Sequence, residues 1–434
     1  MAKSEKKLEL APVREVFGVN RQKNTLSYVE RPIDGRFKDA LQDGQYSAIV
    51  IYGTSKQGKS SLRRHVLPEH FCTFVPATHG MTQEMLYKNI LNQAQVAGPL
   101  RFTKGGSVAV GAEAEVRLPD WLSFLSAKAS VAADRSSEKS WEEIGIDLSD
   151  AGGVARHYAK VAGRRPIVID NFHYFSPEMQ RALAIDIRAF EEPGVKFIIM
   201  GTWKARNYLE MQNDDLTGTI CPLSIEPWTD HDFARVIDTG LAKLRVSFTG
   251  TVRQTLIERA IGNIGLLQRA LRELLDRSEI DQKHDQDIVI SDPKIVRNIY
   301  RDISTELLDG TVDKLKRIAQ IGEPWLAGKT RTYYILRAFI EDQESSRIDG
   351  VPLPRLFDRT NKMIASIERD RTLSDTAFGM LVKRDLLAGQ QSRIETPIIA
   401  CDLEGYSGVG RLSALDSWFL VTLRNHRTEI LDRF

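Results

Sequence analysis

Apolar positions in the first half of the chain follow two alternating rhythms. Short unbroken apolar runs, rich in β-branched side chains and closed by glycine or a carboxylate, alternate with longer stretches whose apolar residues recur at three and four. The runs predict buried strands and the spaced stretches predict helices. Strands are expected over 46–53 (YSAIVIYG), 72–78 (CTFVPAT), 164–170 (RRPIVID), 195–202 (VKFIIMGT) and 220–228 (ICPLSIEPW). Helices are expected over 37–44, 59–71, 81–96, 147–163 and 176–194. Met81, Met85, Leu86, Ile90 and Leu91 mark the apolar face of one of them. Ser176 and Pro177 open another, as a cap and a first-turn proline do. Strand–helix alternation of this kind predicts an α/β fold with a parallel sheet covered on both faces.

The rhythm breaks twice. Residues 100–140 are rich in Ala, Gly and Ser, and SVAVGAEAEV (107–116) and SAKASVAA (126–133) alternate. One or two hairpin strands in an inserted segment are expected there, with a loop as the competing reading. From about 229 the strand pattern stops, and 229–244, 251–277 and 293–310 read as helical. After 329 the order is helix (330–343), helix (351–366), helix (372–389), then the strand-like RIETPIIACD (393–402) and SWFLVTLRN (417–425). The expected organisation is a lead-in over 1–24, a core over 25–228, a helical lid over 229–328 and a small last domain over 329–434.

Length agrees with several domains, because 434 residues exceed one ordinary core. A formal net charge of +2 excludes a chain that coats nucleic acid by charge alone and leaves local basic patches open. The three cysteines, Cys72, Cys221 and Cys401, are too scattered for a disulfide framework or a zinc site. The first residues, MAKSEKKLEL, lack the apolar run of a signal peptide, and no run approaches a membrane span. A cytoplasmic location is the expectation.

The candidate chemistry starts where the first strand ends. Gly53, Gly58, Lys59 and Ser60 fit G-x-x-x-x-G-K-[ST]. Glycines let the backbone curl so that its N–H groups face a phosphate chain. Lysine brings a mobile charge to the β- and γ-phosphates, the serine hydroxyl can ligate magnesium, and the next helix aims its positive end at the anion. Four fixed positions arise by chance in about 1–2% of chains this long; with a strand before and a helix after, the segment reads as a phosphate loop rather than a glycine turn. The cofactors expected are ATP and Mg²⁺. The binding residues expected are Gly53, Thr54, Ser55, Lys56, Gln57, Gly58, Lys59, Ser60 and Ser61.

A phosphate loop needs a second strand ending in a carboxylate that holds magnesium through water. IVID ends in Asp170, so Ser60 and Asp170 are the expected metal residues. Asn171 follows, where many hydrolysing phosphate-loop proteins carry glutamate. Asparagine can hydrogen-bond a water but cannot take its proton, so slow hydrolysis is expected, with His173 as a candidate helper. Thr202 closes the next strand at the end where ligands bind such sheets, and Lys204 and Arg206 follow as candidate phosphate contacts in the same or a neighbouring subunit. The candidate catalytic set is Lys59, Asp170, Asn171, Thr202 and Arg206.

On GTSKQGKSSL, IVIDNFHYFSPEMQ, FIIMGTWKARNYL and GNIGLLQRALREL, residues 25–275 resemble the AAA+ and STAND group of P-loop ATPases, and look closest to origin-initiator and transposition-regulator ATPases. The resemblance implies a nucleotide between an α/β core and a helical lid, often at a subunit interface. It implies Lys59 and Ser60 at the phosphates, Asp170 at magnesium and Thr202 as first sensor. The chain departs from the pattern at Asn171, at Leu266 and Leu267 where a sensing arginine is often found (Arg269 lies further along), and at Thr219 near the place of an interface arginine. These departures favour a nucleotide-dependent switch over a ring motor.

Residues 329–434 resemble a winged helix-turn-helix, with 372–389 as its third helix. Arg369, Arg371, Lys383 and Arg384 suit DNA phosphates, with Arg393 and Arg411 flanking the wing. Acidic residues are nearly as frequent here, which suits a packing or autoinhibitory module equally. Two functions follow: an ATP-controlled, self-assembling switch that binds DNA, or a STAND-like signalling switch, for example in anti-phage defence, that regulates a separate effector protein. The partners are ATP, further copies of the chain or an effector, and DNA as a candidate; no membrane is expected.

Overall fold

The structure, a computed structural model, describes residues 11–18, 25–97, 101–102, 107–110, 114–125, 145–203, 209–210, 213–280, 287–347, 349–394, 397–402 and 410–434. Contacts divide the chain into two compact units. One comprises Glu30–Gly53 and Gly58–Pro227; the other joins the described residues up to Val29 with Thr54–Gln57 and Trp228–Phe434.

The first unit is the α/β core. Its strands are β1 (Ala48–Tyr52), β2 (Thr73–Pro76), β6 (Ile167–Asp170), β7 (Phe197–Gly201) and β8 (Ile220–Ser224); β3 (Arg101–Phe102), β4 (Ser107–Val110) and β5 (Ala114–Arg117) intervene in sequence. The five form one sheet in the order β2-β6-β7-β1-β8, all parallel. Ala48, Val50 and Tyr52 face one core and Ile49 and Ile51 the other. Ile167 and Ile169 likewise oppose Val168, and Phe197 and Ile199 oppose Ile198 and Met200. Both faces are apolar because helices cover both, which is why these strands read as unbroken runs rather than alternations. Burying each such side chain stabilises the fold by about 1.5–3 kcal/mol.

Parallel pairing brings all five carboxyl ends to one edge. Tyr52 lies opposite Gly201 on one side and Ser224 on the other, and Pro76 lies opposite Asp170. The residues that follow β1, β6 and β7 therefore emerge together. In the 100–140 region, β3, β4 and β5 form an antiparallel sheet whose β4–β5 pair is the expected hairpin. The second alternating stretch, 126–133, lies outside the described residues.

The second unit has its own core. Helices Asp230–Leu241, Gly250–Ala260, Ile264–Arg277 and Pro293–Ala319 build its first part. Two expectations need correction here. Strands do not stop at 229: β9 (Val246–Phe248) and β10 (Ile288–Ile290) pair in parallel, each too short to show a period. And 251–277 is two helices, broken where Ile261 and Gly262 take φ of 51° and 66° and Asn263 caps the next helix by accepting from the Leu266 N–H at 2.9 Å.

The last part has the winged-helix order. Helices Arg331–Glu341, Leu353–Ile367 and Asp375–Met380, the last continuing in wider turns over Leu381–Ala388, accompany a sheet of β13 (Val351–Pro352), β15 (Arg411–Ala414) and β14 (Ile399–Asp402); β11 (Pro324–Leu326) and β12 (Lys329–Thr330) form a hairpin before them. SWFLVTLRN is not a strand. It opens the helix Ser417–Arg433, because Asp416 accepts from the Trp418 N–H at 3.0 Å and starts the turn. A short apolar run buried on all sides has the same pattern in either state.

Candidate functional site: the phosphate loop and its carboxylates

The loop between β1 and the helix Lys59–Val66 depends on two glycines. Gly53 has φ of 146°, and a Cβ there would meet Ile225 Cγ2 at 2.4 Å. Gly58, at φ 89° and ψ 18°, is left-handed and precedes the first helical residue, Lys59. Neither conformation suits a side chain.

Lys59 is half-buried, and its ammonium donates to the Gly53 carbonyl at 3.0 Å. Burial pulls its pKa down to about 8, against the opposing pull of Glu226 and Asp170. A partly desolvated cation gains from an incoming anion more than a surface lysine would. Ser60 and Ser61 occupy the first helical turn after it.

Asp170 lies at the end of β6. Burial raises its pKa; the Asn171 N–H, at 2.9 Å from Oδ1, and the charges of Lys59, Arg63 and Arg64 act the other way. Asn171 is left-handed at φ 59°, a conformation asparagine tolerates. Among the described residues its carboxamide has no hydrogen-bond partner.

Thr202 follows β7 and is buried. Its amide donates to Nδ1 of His173 at 3.2 Å. Burial first, then Lys59 and His79, brings the His173 pKa down to about 4, so the ring is neutral at neutral pH and Nδ1 is its acceptor. Nδ1 of His173 is thus engaged by the Thr202 backbone. Gly201 makes room for the adjacent Trp203, whose ring would lie 1.7 Å from a Cβ there; that ring stacks on Tyr52.

Within the second unit, Thr54–Gln57 are held through their carbonyls. Asn263 Nδ2 donates to the Ser55 carbonyl at 3.0 Å, the Gly265 N–H to Lys56 at 3.1 Å, and Trp228 Nε1 to Gln57 at 3.2 Å. In a planar trans peptide the N–H points opposite to the carbonyl of the same plane. Three anchored carbonyls therefore leave the amides of Lys56, Gln57 and Gly58 turned away from their anchors. Gln57 Nε2 also reaches the Gly262 carbonyl at 3.0 Å.

The GNIG turn thus holds the loop by its carbonyls, and the helix Ile264–Arg277 offers no arginine at 266 or 267. Leu266 and Leu267 are fully buried. Arg269 is bound by Glu273 at 2.9 Å and by Glu306; burial alone would lower its pKa, and these two carboxylates more than offset it. Two residues were not legible as site residues. Glu226, just beyond β8, is within electrostatic reach of Lys59; its place at the sheet's carboxyl edge was the signal. Trp418 carries the Lys56 ammonium 3.7 Å above its ring, and its misread strand hid it. Arg206 and Lys204 lie outside the described residues.

In the winged-helix part, Arg384 pairs with Asp385 at 2.5 Å and Arg371 with Glu368 at 3.1 Å. Arg411 pairs with Asp349 at 3.2 Å. Arg369, Lys383 and Arg393 are exposed.

No protein-family model and no curated protein matches the sequence. Among solved structures, a Walker-type ATPase of Pyrococcus abyssi is similar over 94% of this chain and 99% of its own, with 14% identity and a TM-score of 0.55. The Orc1 protein of Aeropyrum pernix, solved in complex with DNA, is similar over 92% and 91%, with 11% identity and a TM-score of 0.36. Cdc6p from Pyrobaculum aerophilum is similar over 96% and 98%, with 11% identity and a TM-score of 0.38. The first reaches the level of a shared fold; the other two do not. The chain has the α/β fold of a P-loop ATPase, and among the described residues no helix is long and apolar enough to cross a membrane.

Proposed function

We propose that this protein is an ATP-binding switch and a slow ATPase, whose nucleotide state controls its assembly with further copies and its binding to DNA. The observation that carries this reading is the Lys59 ammonium, with the Asp170 and Glu226 carboxylates within electrostatic reach and a glycine-shaped loop before it. Lys59 takes the β- and γ-phosphates, and the amides of the loop take the rest of the chain of phosphates.

The donor set fits Mg²⁺. Ser60 and Asp170 offer one hydroxyl and one carboxylate, both hard oxygen donors, and among the described residues no cluster of three His, Cys, Asp or Glu side chains could form an all-protein cage. Magnesium is commonly held this way, by one or two carboxylates with substrate phosphates and water. When bound it neutralises charge on the transferred phosphoryl group. Asn171 orients water without accepting its proton, and Thr202, fixed by His173, senses the terminal phosphate. Turnover below about 1 s⁻¹, under the usual enzyme range, is the expected result; a faster rate contradicts the role given to Asn171.

The second reading, a STAND-like switch acting on a separate effector, draws on one observation. Arg371, Arg384 and Arg411 are all paired with carboxylates of their own domain, as in a packing module. Sedimentation of the full chain with and without Mg-ATP, and with and without duplex DNA, tests both. An ATP-dependent rise in mass that DNA strengthens supports the first. An ATP-dependent change indifferent to DNA supports the second, and no response to ATP removes both.

A further inference from the structure

Away from the phosphate loop, the second unit contains a cavity of about 930 Å³. Its walls come from five stretches that are distant in sequence: the end of Gly250–Ala260 with Ile261, Tyr300 of Pro293–Ala319, the turn Gln343–Ser346 with the adjoining Arg347, the start of Leu353–Ile367 and the middle of Ser417–Arg433. Five arginines and two glutamates line it, so the wall carries excess positive charge.

The arginines are not equivalent. Arg355 is neutralised by Asp342 at 2.8 Å and Glu344 at 3.2 Å, and Arg347 shares Glu344 at 3.5 Å. Arg424 and Arg427 have no carboxylate within 4.0 Å among the described residues. Arg424 Nε donates to the Ser346 carbonyl at 2.7 Å, and Arg427 Nη2 to the Gln343 carbonyl at 3.3 Å. Arg427 Nε is buried with no acceptor. Burial lowers the pKa of both guanidinium groups, at Arg427 against the opposing pull of Asp342; Arg424 is exposed and Arg427 half-buried. Arg259, on the opposite wall, has no ion pair among the described residues.

Among the described residues these three guanidinium groups form no ion pair within 4.0 Å, and Asp342, which acts on Arg427 from further away, is already paired with Arg355; a concave site lined this way has charge to spare for an anion. Guanidinium forks match phosphate oxygens in pairs and retain their charge at any physiological pH. The volume lies within the range of small-molecule sites, about 300–1,000 Å³. Tyr300, the one aromatic in the wall among the described residues, is wholly buried and donates its hydroxyl to the Leu256 carbonyl, so it offers no open ring face for stacking. The ligand is recognised by its charges rather than by a base. We propose that this cavity is a second anion site, which binds a small, multiply charged phosphate compound through Arg259, Arg424 and Arg427. It is independent of the nucleotide reading and stands if that reading falls.

The test uses the full chain carrying Lys59→Ala, which removes the phosphate loop's own cation, and inorganic tripolyphosphate as the probe. Calorimetric titration at low salt should show one site per chain. Adding Arg424→Ala and Arg427→Ala should weaken it at least tenfold, with the corresponding lysine variants in between. Because those two arginines also hold backbone carbonyls, Arg259→Ala serves as a second variant that breaks no such bond, and it too should weaken binding several-fold. A parallel arm titrates duplex DNA. If the arginine variants lose DNA binding and leave tripolyphosphate unchanged, the cavity serves nucleic acid and the proposal is overturned. It is equally overturned if tripolyphosphate does not bind at 1 mM, a loose bound on the affinity scale, or binds all variants alike.

Discussion

The protein holds two cationic sites, and they are built in opposite ways. At the phosphate loop, one ammonium is fixed by backbone: two glycines at positive φ shape the turn, and Gly53 gives its carbonyl to Lys59. In the arginine cavity, side chains from helices and turns far apart in sequence converge, and the backbone only accepts their spare hydrogen bonds. A backbone-built site must write its conformational needs into adjacent residues. A side-chain-built site need not, because any helix can carry an arginine.

The comparison can be sharpened from the backbone side. Asn263→Ala removes both a helix cap and the donor to the Ser55 carbonyl. A loss of about 1–3 kcal/mol in denaturant unfolding is expected, together with weaker ATP binding because the loop amides lose their orientation. Full ATP affinity in a destabilised variant would show that Asn263 does not orient the loop.

The charge side gives a pH dependence. The folded pKa of Lys59, about 8, lies below the ordinary 10.5. Below pH 8 the ammonium is formed before the nucleotide arrives. Above it, binding must take up a proton, so ATP affinity should fall up to tenfold per pH unit. In Lys59→Ala the slope should vanish; a profile flat through pH 9 in the wild type would contradict the lowered pKa of this group.

His173 gives a pH dependence of the same origin, read in stability rather than in binding. Its folded pKa, about 4, is below the ordinary 6.5. The unfolded chain therefore binds the proton first, and stability falls as pH drops from 6.5 to 4, by at most about 1.4 kcal/mol per unit. Replacing it, as in His173→Gln, should remove this contribution to the acid slope, read by unfolding at several pH values. The smallest effect is expected at Trp418. Its contact with Lys56 is a cation–π interaction worth about 0.5–1 kcal/mol, so Trp418→Leu should change ATP affinity by no more than a few-fold.

The same contrast explains what the sequence made legible. The core strands stood out because both faces of the sheet are covered, which forces unbroken apolar runs such as Ala48–Tyr52. The loop stood out because Gly53 and Gly58 have no substitutes there. The helix Ser417–Arg433 was misread because its first turns are buried on all sides, which erases the period that separates helix from strand. β9 and β10 are three residues each, too short for any pattern. Glu226 and the five cavity arginines were hidden for a common reason: their meaning lies in where the fold brings them, and no local spacing records it.

The most direct measurement is the affinity for ATP with magnesium in the wild type and in Lys59→Ala, both confirmed as folded by circular dichroism. Loss of a charge-assisted contact to phosphate predicts weakening by about 1.5–3 kcal/mol, tenfold to a hundredfold or more. Equal affinity in the two proteins would contradict the claim that this ammonium grips the nucleotide.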